Sequence, residues 1–252
     1  MEGVIDLNAD VGEVEDPADL EVDLFGIITS ANIATGGHAG NPGVMEAAVA
    51  CASRLGVSVG AHPSYPDRDG FGRKVVLMEP EALREELTSQ IRTLDQIARS
   101  HGVQVRHVKP HGALYHRMIT DSETARVVAE VTAGFPGAVL VTPAGGMGEL
   151  ESAVELAGVR TIAEAFADRG YRADGSLVAR GENGDLLTDP SAAAAQAVSI
   201  AARHQVTTGD GTVVLIDAET LCIHGDTPGA AEIGSAVRAA LVGAGLKIAS
   251  PI

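Results

Sequence analysis

VIDLNADVGE, from Val4 to Glu13, sets Ile5, Leu7 and Ala9 between Asp6, Asn8 and Asp10. A period of two belongs to a β-strand, so the run from Val4 to Asn8 predicts a strand that leads three polar side chains down one face, with Glu13 just beyond. The same grammar recurs. IITSANIA, Ile27 to Ala34, is followed by glycines and by Pro42, which opens the helical stretch PGVMEAAVACASRL. VSVGAH ends at His62, and a helix from about Glu81 to Ser100 spaces Leu83, Leu87, Ile91 and Leu94 by three or four. VQVRHVK, AVLVTP, RTIAEAF and ETLCIHG supply four more strands among alanine-rich helical segments such as SAAAAQAVSIAAR. Seven such units predict an α/β chain folded as an irregular, TIM-like (β/α) barrel, one strand short of the usual eight.

No low-complexity tract or composition break divides the chain, so a single barrel domain over 1–252 is expected, with inserts near 171–190 and 209–218 marked by Asp-Gly and Asn-Gly turns. The 252 residues are 45% hydrophobic, enough for a large core, yet no apolar run reaches the length of a membrane span. The acidic start carries no signal-peptide pattern, and a cytoplasmic protein is expected. A net charge of −16, with 18 basic against 34 acidic residues, argues against nucleic acid, and 3% aromatic residues leave few stacking platforms. Cys51 and Cys222 sit among apolar neighbours and read as buried thiols in a reducing compartment. A small polar substrate fits this composition, and a homo-oligomer is compatible with it.

In a parallel barrel the carboxyl ends of the strands meet at one mouth. Asp6, Asn8 and Asp10 come from the first strand, Asn32 and then His38 from the second, and His62 from the third. Lys109 and His111 follow the fourth, Glu164, Asp168 and Arg169 the sixth, and His224 and Asp226 the last. Singly, each has a bland reading: an acid near a helix start is a cap, and His107, further from its strand's end, is a packed core histidine. Together they are not bland, because four of the eight histidines fall just after apolar strands. Carboxylates, imidazoles and one lysine around a shared cavity shift one another's proton affinities and supply a general base beside an electrostatic stabiliser. The same mixture suits a divalent metal, but no H-E-x-x-H or comparable spacing occurs, and no metal ligand is assigned. No G-x-x-x-x-G-K-[ST] loop occurs either, so nothing in the chain is read as an ATP site of its own.

Six blocks then carry a resemblance over nearly the whole chain: DLNADVGE (Asp6–Glu13), SANIATGGHAGNP (Ser30–Pro42), GAHPSYPDRDGFGR (Gly60–Arg73), HVKPHGALYH (His107–His116), AFADRGY (Ala165–Tyr171) and CIHGDTPGA (Cys222–Ala230). They resemble the LamB/YcsF lactam-utilisation family, whose characterised role is as one subunit of an ATP-hydrolysing 5-oxoprolinase. Thr35 and Gly37 depart from the family's ACGFHAG, on what is expected to be the pocket wall. The resemblance implies a barrel similar to the glycoside hydrolase/deacetylase type and two partner subunits. It also implies hydrolysis of the lactam of 5-oxoproline to glutamate, with ATP bound or consumed by those partners. On that reading Asp10 or Asp6 is the general base, Lys109 with His111 or His62 stabilises developing negative charge, and Asn8, Asn32, His38, Glu164, Asp168, Arg169 and His224 complete the substrate pocket. Two alternatives stay open: a metal-dependent amide hydrolase acting alone, and a non-catalytic chain that binds substrate while its partners do the chemistry.

Overall fold

The computed structural model describes residues 3–225, 227 and 229–252. In chain order the strands are β1 Val4–Val11, β2 Ser30–Ala34, β3 Ser58–His62, β4 His107–Val108, β5 Val139–Pro143, β6 Thr161–Phe166, β7 Gln205–Thr207, β8 Val213–Leu215, β9 Thr220–His224 and β10 Lys247–Ile248. The helices are α1 Val22–Phe25, α2 Pro42–Leu55, α3 Pro80–Ser100, α4 Gly112–Arg117, α5 Ser122–Ala133, α6 Leu150–Ala157, α7 Pro190–Arg203 and α8 Ala230–Gly243.

Strands β1 to β6 pair in parallel in chain order, and β9 pairs with both β6 and β1. That closes a seven-stranded parallel barrel, with β10 added beside the start of β1. The expected β-then-α rhythm is therefore the observed one. The fourth strand is shorter than VQVRHVK predicts: only His107 and Val108 pair with β3, although Arg106 and Lys109 still donate their backbone N–H groups to Val59 and Ala61. The insert at 171–190 folds back in short bridges between Arg169 and Leu186 and between Tyr171 and Leu177, while β7 and β8 form an antiparallel hairpin across the second insert.

Local chemistry sets the helix ends. Asn41 accepts from the N–H groups of Gly43 and Val44 and Pro42 fills the first turn, so α2 starts where the sequence indicates. Asp121 caps α5 in the same way, accepting from Thr124. In α3 the buried Leu83, Leu87, Ile91 and Leu94 form the stripe laid against the barrel. Inside the barrel, side chains stack in layers that register pairing fixes: Asp6 beside Thr220, Asn8 beside Cys222, Asp10 beside His224 and beside Asn32. Gly60 is required in the middle layer, since a Cβ there would fall 1.9 Å from Nε2 of His107, which fills that space.

Candidate active site

At the carboxyl ends of the strands lies a cavity of about 420 Å³, whose wall includes Asp10, Glu13, His62, Lys109, His111 and His224. Its centre is Lys109. The ammonium lies 2.8 Å from Asp10 Oδ1, 3.0 Å from Glu164 Oε1 and 3.0 Å from Cys222 Sγ. Burial pushes the Lys109 pKa down, but the carboxylates beside it, Asp10 foremost, push it further up, and it stays protonated. For Asp10, burial is again opposed and outweighed, here by His62 and Lys109, so its carboxyl lies well below the usual range. Glu164 has the opposite balance: burial outweighs Lys109 and raises it. Burial likewise holds Cys222 as a thiol.

Beneath this pair runs a continuous hydrogen-bonded chain. His107 Nε2 donates to Asn32 Oδ1 (2.8 Å), and Asn32 Nδ2 donates to Asp10 Oδ1 (2.8 Å) and to Asn8 Oδ1 (2.7 Å). Asn8 Nδ2 donates in turn to Thr220 Oγ1 (2.6 Å) and Glu164 Oε1 (3.2 Å). His107, pushed down to about 3 by burial and by Lys109, is the neutral core histidine expected. Asn32 thus holds Asp10 from below, itself tied to Asn8, and neither asparagine lines the cavity.

Asp6 requires a correction. It lies two layers below Lys109, accepting from Thr29 (2.6 Å), Ser30 (2.9 Å) and Thr220 (2.6 Å), and it is buried outside the cavity. Burial raises its pKa against those hydroxyls. Engaged by three hydroxyls and set apart from the cavity, it is placed as a structural acceptor and not beside a substrate.

On the facing wall His224 stacks on Phe166, with Nδ1 3.0 Å from Asp168 Oδ1. Asp168 also accepts the backbone N–H of His224. Burial opposes but does not outweigh the His224 contacts, which keep Asp168 below the usual carboxylate range. It positions the ring and stands behind it. Arg169 reaches the cavity wall, yet its guanidinium donates to the backbone carbonyls of Asp185 and Val178, pinning the 171–190 insert over the mouth. The guanidinium thus anchors the insert at the cavity wall. Leu177, Val178 and Arg180 of the insert line the cavity as well. Asp226, expected beside His224, lies outside the described residues.

Three further features escaped the sequence. Cys222 touches Lys109, although period-two alternation through Thr220, Cys222 and His224 would have pointed it inward. Thr35 and Gly37 do not form the pocket wall: Thr35 donates to Gln90, and a Cβ on Gly37 would meet Ser64 at 2.5 Å. Glu13, His38, His62 and His111, to which the sequence assigns no metal, each bring one donor atom to within 4.8 Å of the others.

The sequence and the fold have counterparts. The sequence matches the LamB/YcsF family over residues 5–252. It is 46% identical over 246 residues to a protein of Mycobacterium marinum that is named as the A subunit of 5-oxoprolinase, covering 97% of each chain. The lactam utilization protein of Thermus thermophilus superposes with a TM-score of 0.90 at 40% identity, covering 99% of both chains. PdaC, a peptidoglycan deacetylase of Bacillus subtilis, superposes at 0.52 with 10% identity over 99% of this chain and 88% of its own, a likeness of fold alone. A full-length family match, near-complete coverage of relatives at this identity and a closely superposing barrel lead to one conclusion: the chain belongs to the LamB/YcsF family.

Proposed function

We propose that this chain is the A subunit of an ATP-dependent 5-oxoprolinase, a hydrolase that opens the lactam of 5-oxo-L-proline to L-glutamate in the cytoplasm together with two partner subunits. The observation that carries this is the buried Asp10–Lys109 pair facing a cavity of substrate size, in a chain similar end to end to proteins of that name. One barrel domain over 1–252 is part of the reading, supported by a contiguous apolar cluster from Ile5 to Leu241.

The need for ATP follows from the bond. A five-membered lactam keeps its amide resonance, so its carbon is a poor electrophile. Transfer of the terminal phosphoryl group of ATP to the lactam oxygen releases ADP and makes that carbon reactive. Water adds to it as Asp10 takes a proton, the C–N bond breaks with the nitrogen protonated, and the resulting acyl phosphate is hydrolysed by a second water to glutamate and phosphate. Without a phosphate-binding loop in this chain, the partners bind and cleave ATP. Lys109 stabilises charge on the oxygen, a role in which one well-placed donor is worth about two to three powers of ten. His111 and His62 serve the same wall, and His224, set by Asp168, completes the substrate side.

The test is reconstitution with both partner subunits. Glutamate should form from 5-oxoproline only when ATP and all three chains are present. Glutamate formed by this chain alone, without ATP, and lost on treatment with a chelator would instead establish the metal-dependent amide hydrolase that the His62, His111 and Glu13 cluster favours.

A further inference from the structure

Three donor atoms on the cavity wall turn their lone pairs toward one another. His62 Nδ1 lies 2.6 Å from the carbonyl oxygen of Lys109, and His111 Nε2 lies 2.9 Å from that of Phe71. A carbonyl oxygen only accepts, so each of these nitrogens carries its neutral ring's proton. With both rings neutral, the other two, His62 Nε2 and His111 Nδ1, are both lone pairs, and they lie 2.9 Å apart. Glu13 Oε1 is a third acceptor, 3.3 Å from His111 Nδ1 and 3.8 Å from His62 Nε2.

A proton placed on His62 Nε2 relieves only one edge of this triangle, the 2.9 Å contact with His111 Nδ1, and leaves Glu13 Oε1 facing His111 Nδ1 at 3.3 Å. It can serve one acceptor, while three surround it: His111 Nδ1, Glu13 Oε1 and Asp10 Oδ2 at 3.4 Å. A divalent cation serves the first two together with His62 itself. Nitrogen and oxygen ligands about 2.1 Å from a tetrahedral zinc lie roughly 3.4 Å apart. The observed edges of 2.9, 3.3 and 3.8 Å bracket that value.

The surroundings have the matching form. Imidazole ligands of metals characteristically donate their second N–H to a carbonyl or carboxylate, which fixes tautomer and ring orientation, and both rings here do so. The Phe71 carbonyl is delivered from a left-handed backbone conformation (φ 55°) that a bulky side chain seldom adopts. Glu13 is held from behind by His38, whose Nε2 lies 3.0 Å from Oε1. Nδ1 of His38 has no hydrogen-bond partner among the described residues, which puts its proton on Nε2 as the donor to Glu13. His38 is not a ligand itself. Its ring lies 3° from parallel with that of His111 at 3.7 Å, so an ion in the plane of one ring is far out of the plane of the other. Glu13, His62 and His111 line the cavity, and His38 does not.

We propose that Glu13 Oε1, His62 Nε2 and His111 Nδ1 form a three-ligand site for a divalent transition metal of the zinc type, with its fourth position open to the cavity beside Asp10 and with His38 as the positioning residue for Glu13. Three protein ligands and one open position suit an ion that holds a water or a substrate oxygen. The site stands on donor geometry alone and is independent of the reaction class proposed above.

Its test therefore needs no substrate. The purified chain is stripped with a chelator, loaded with Zn²⁺, gel-filtered and analysed for metal, and a second sample is titrated with Co²⁺ and followed by visible absorption. The expected result is one zinc per chain and visible cobalt bands that zinc abolishes. Glu13→Gln and His111→Ala should each weaken zinc binding by more than 100-fold. His38→Ala should weaken it by about 10- to 100-fold with one equivalent still bound at saturation, as removal of an outer partner does. Unaltered zinc affinity in both ligand variants would overturn the site. So would a wild-type chain that takes up neither zinc nor cobalt, a result that stands even if the variants fail to fold.

Discussion

Asp6 and Asp10 sit on the same strand and the same face of the barrel, four residues apart, and the environment makes different groups of them. The layer around Asp6 holds hydroxyls: Thr29, Ser30 and Thr220 donate to it, and burial raises its pKa. The layer around Asp10 holds Lys109 and His62, which overcome the same burial and keep it ionised. A buried carboxylate is a structural acceptor where only neutral donors surround it and a poised base where a buried ammonium and a cavity do. The barrel therefore carries a closed floor and a reactive mouth on one strand.

The largest effect expected from breaking this contrast is at Lys109. Lys109→Ala strips the countercharge from Asp10 and Glu164 together, and a broken buried pair costs about 3–5 kcal/mol of stability in denaturant unfolding. Glutamate formation in the reconstituted complex should fall by about two to three powers of ten beyond the loss of folded protein.

Asp6→Asn should lower stability by about 1–3 kcal/mol through its unsatisfied hydroxyl partners, while turnover per folded chain stays at the wild-type level. Loss of turnover would return Asp6 to the reaction. The pH dependence sharpens the point. Because the folded pKa of Asp6 is raised, the stability it contributes is complete below the unfolded carboxylate pKa and is lost as pH rises through the folded value. Asp168, whose pKa is lowered, contributes stability above the unfolded value and loses it as pH falls through the folded one. Urea titrations across the acid range should show Asp6→Asn and Asp168→Asn changing the slope in opposite senses. Asp121→Ala, at the cap of α5 and remote from both layers, should cost only about 1 kcal/mol in thermal melting and leave activity unchanged.

Much of this arrangement is legible in the residues. Apolar runs that end in Asp10, His62, Lys109 and His224 place those side chains at the mouth because a strand's period leaves no other choice. The floor is harder to read. Asp6 shares Asp10's period, and only the partners supplied by Thr29 and Thr220, distant in sequence, separate the two roles. The wall formed by Leu177, Val178 and Arg180 comes from an irregular insert without periodicity, so its approach to the cavity follows from the Arg169 anchor and not from local pattern. Glu13, His62 and His111 escape a motif search for the same reason: each ends a different strand or loop, so no fixed spacing ties them together. Cys222 reads in the sequence as a plain buried thiol, because only the fold brings Lys109 to its sulfur.

The most direct measurement follows ATP hydrolysis and glutamate formation separately in the three-subunit complex carrying Asp10→Asn. With the mouth of the barrel as the place where the activated lactam meets water, ATP turnover should persist while glutamate formation falls by at least about a hundredfold. Glutamate released at the wild-type rate would show that the proton is taken elsewhere, and that the Asp10–Lys109 pair merely holds the barrel together.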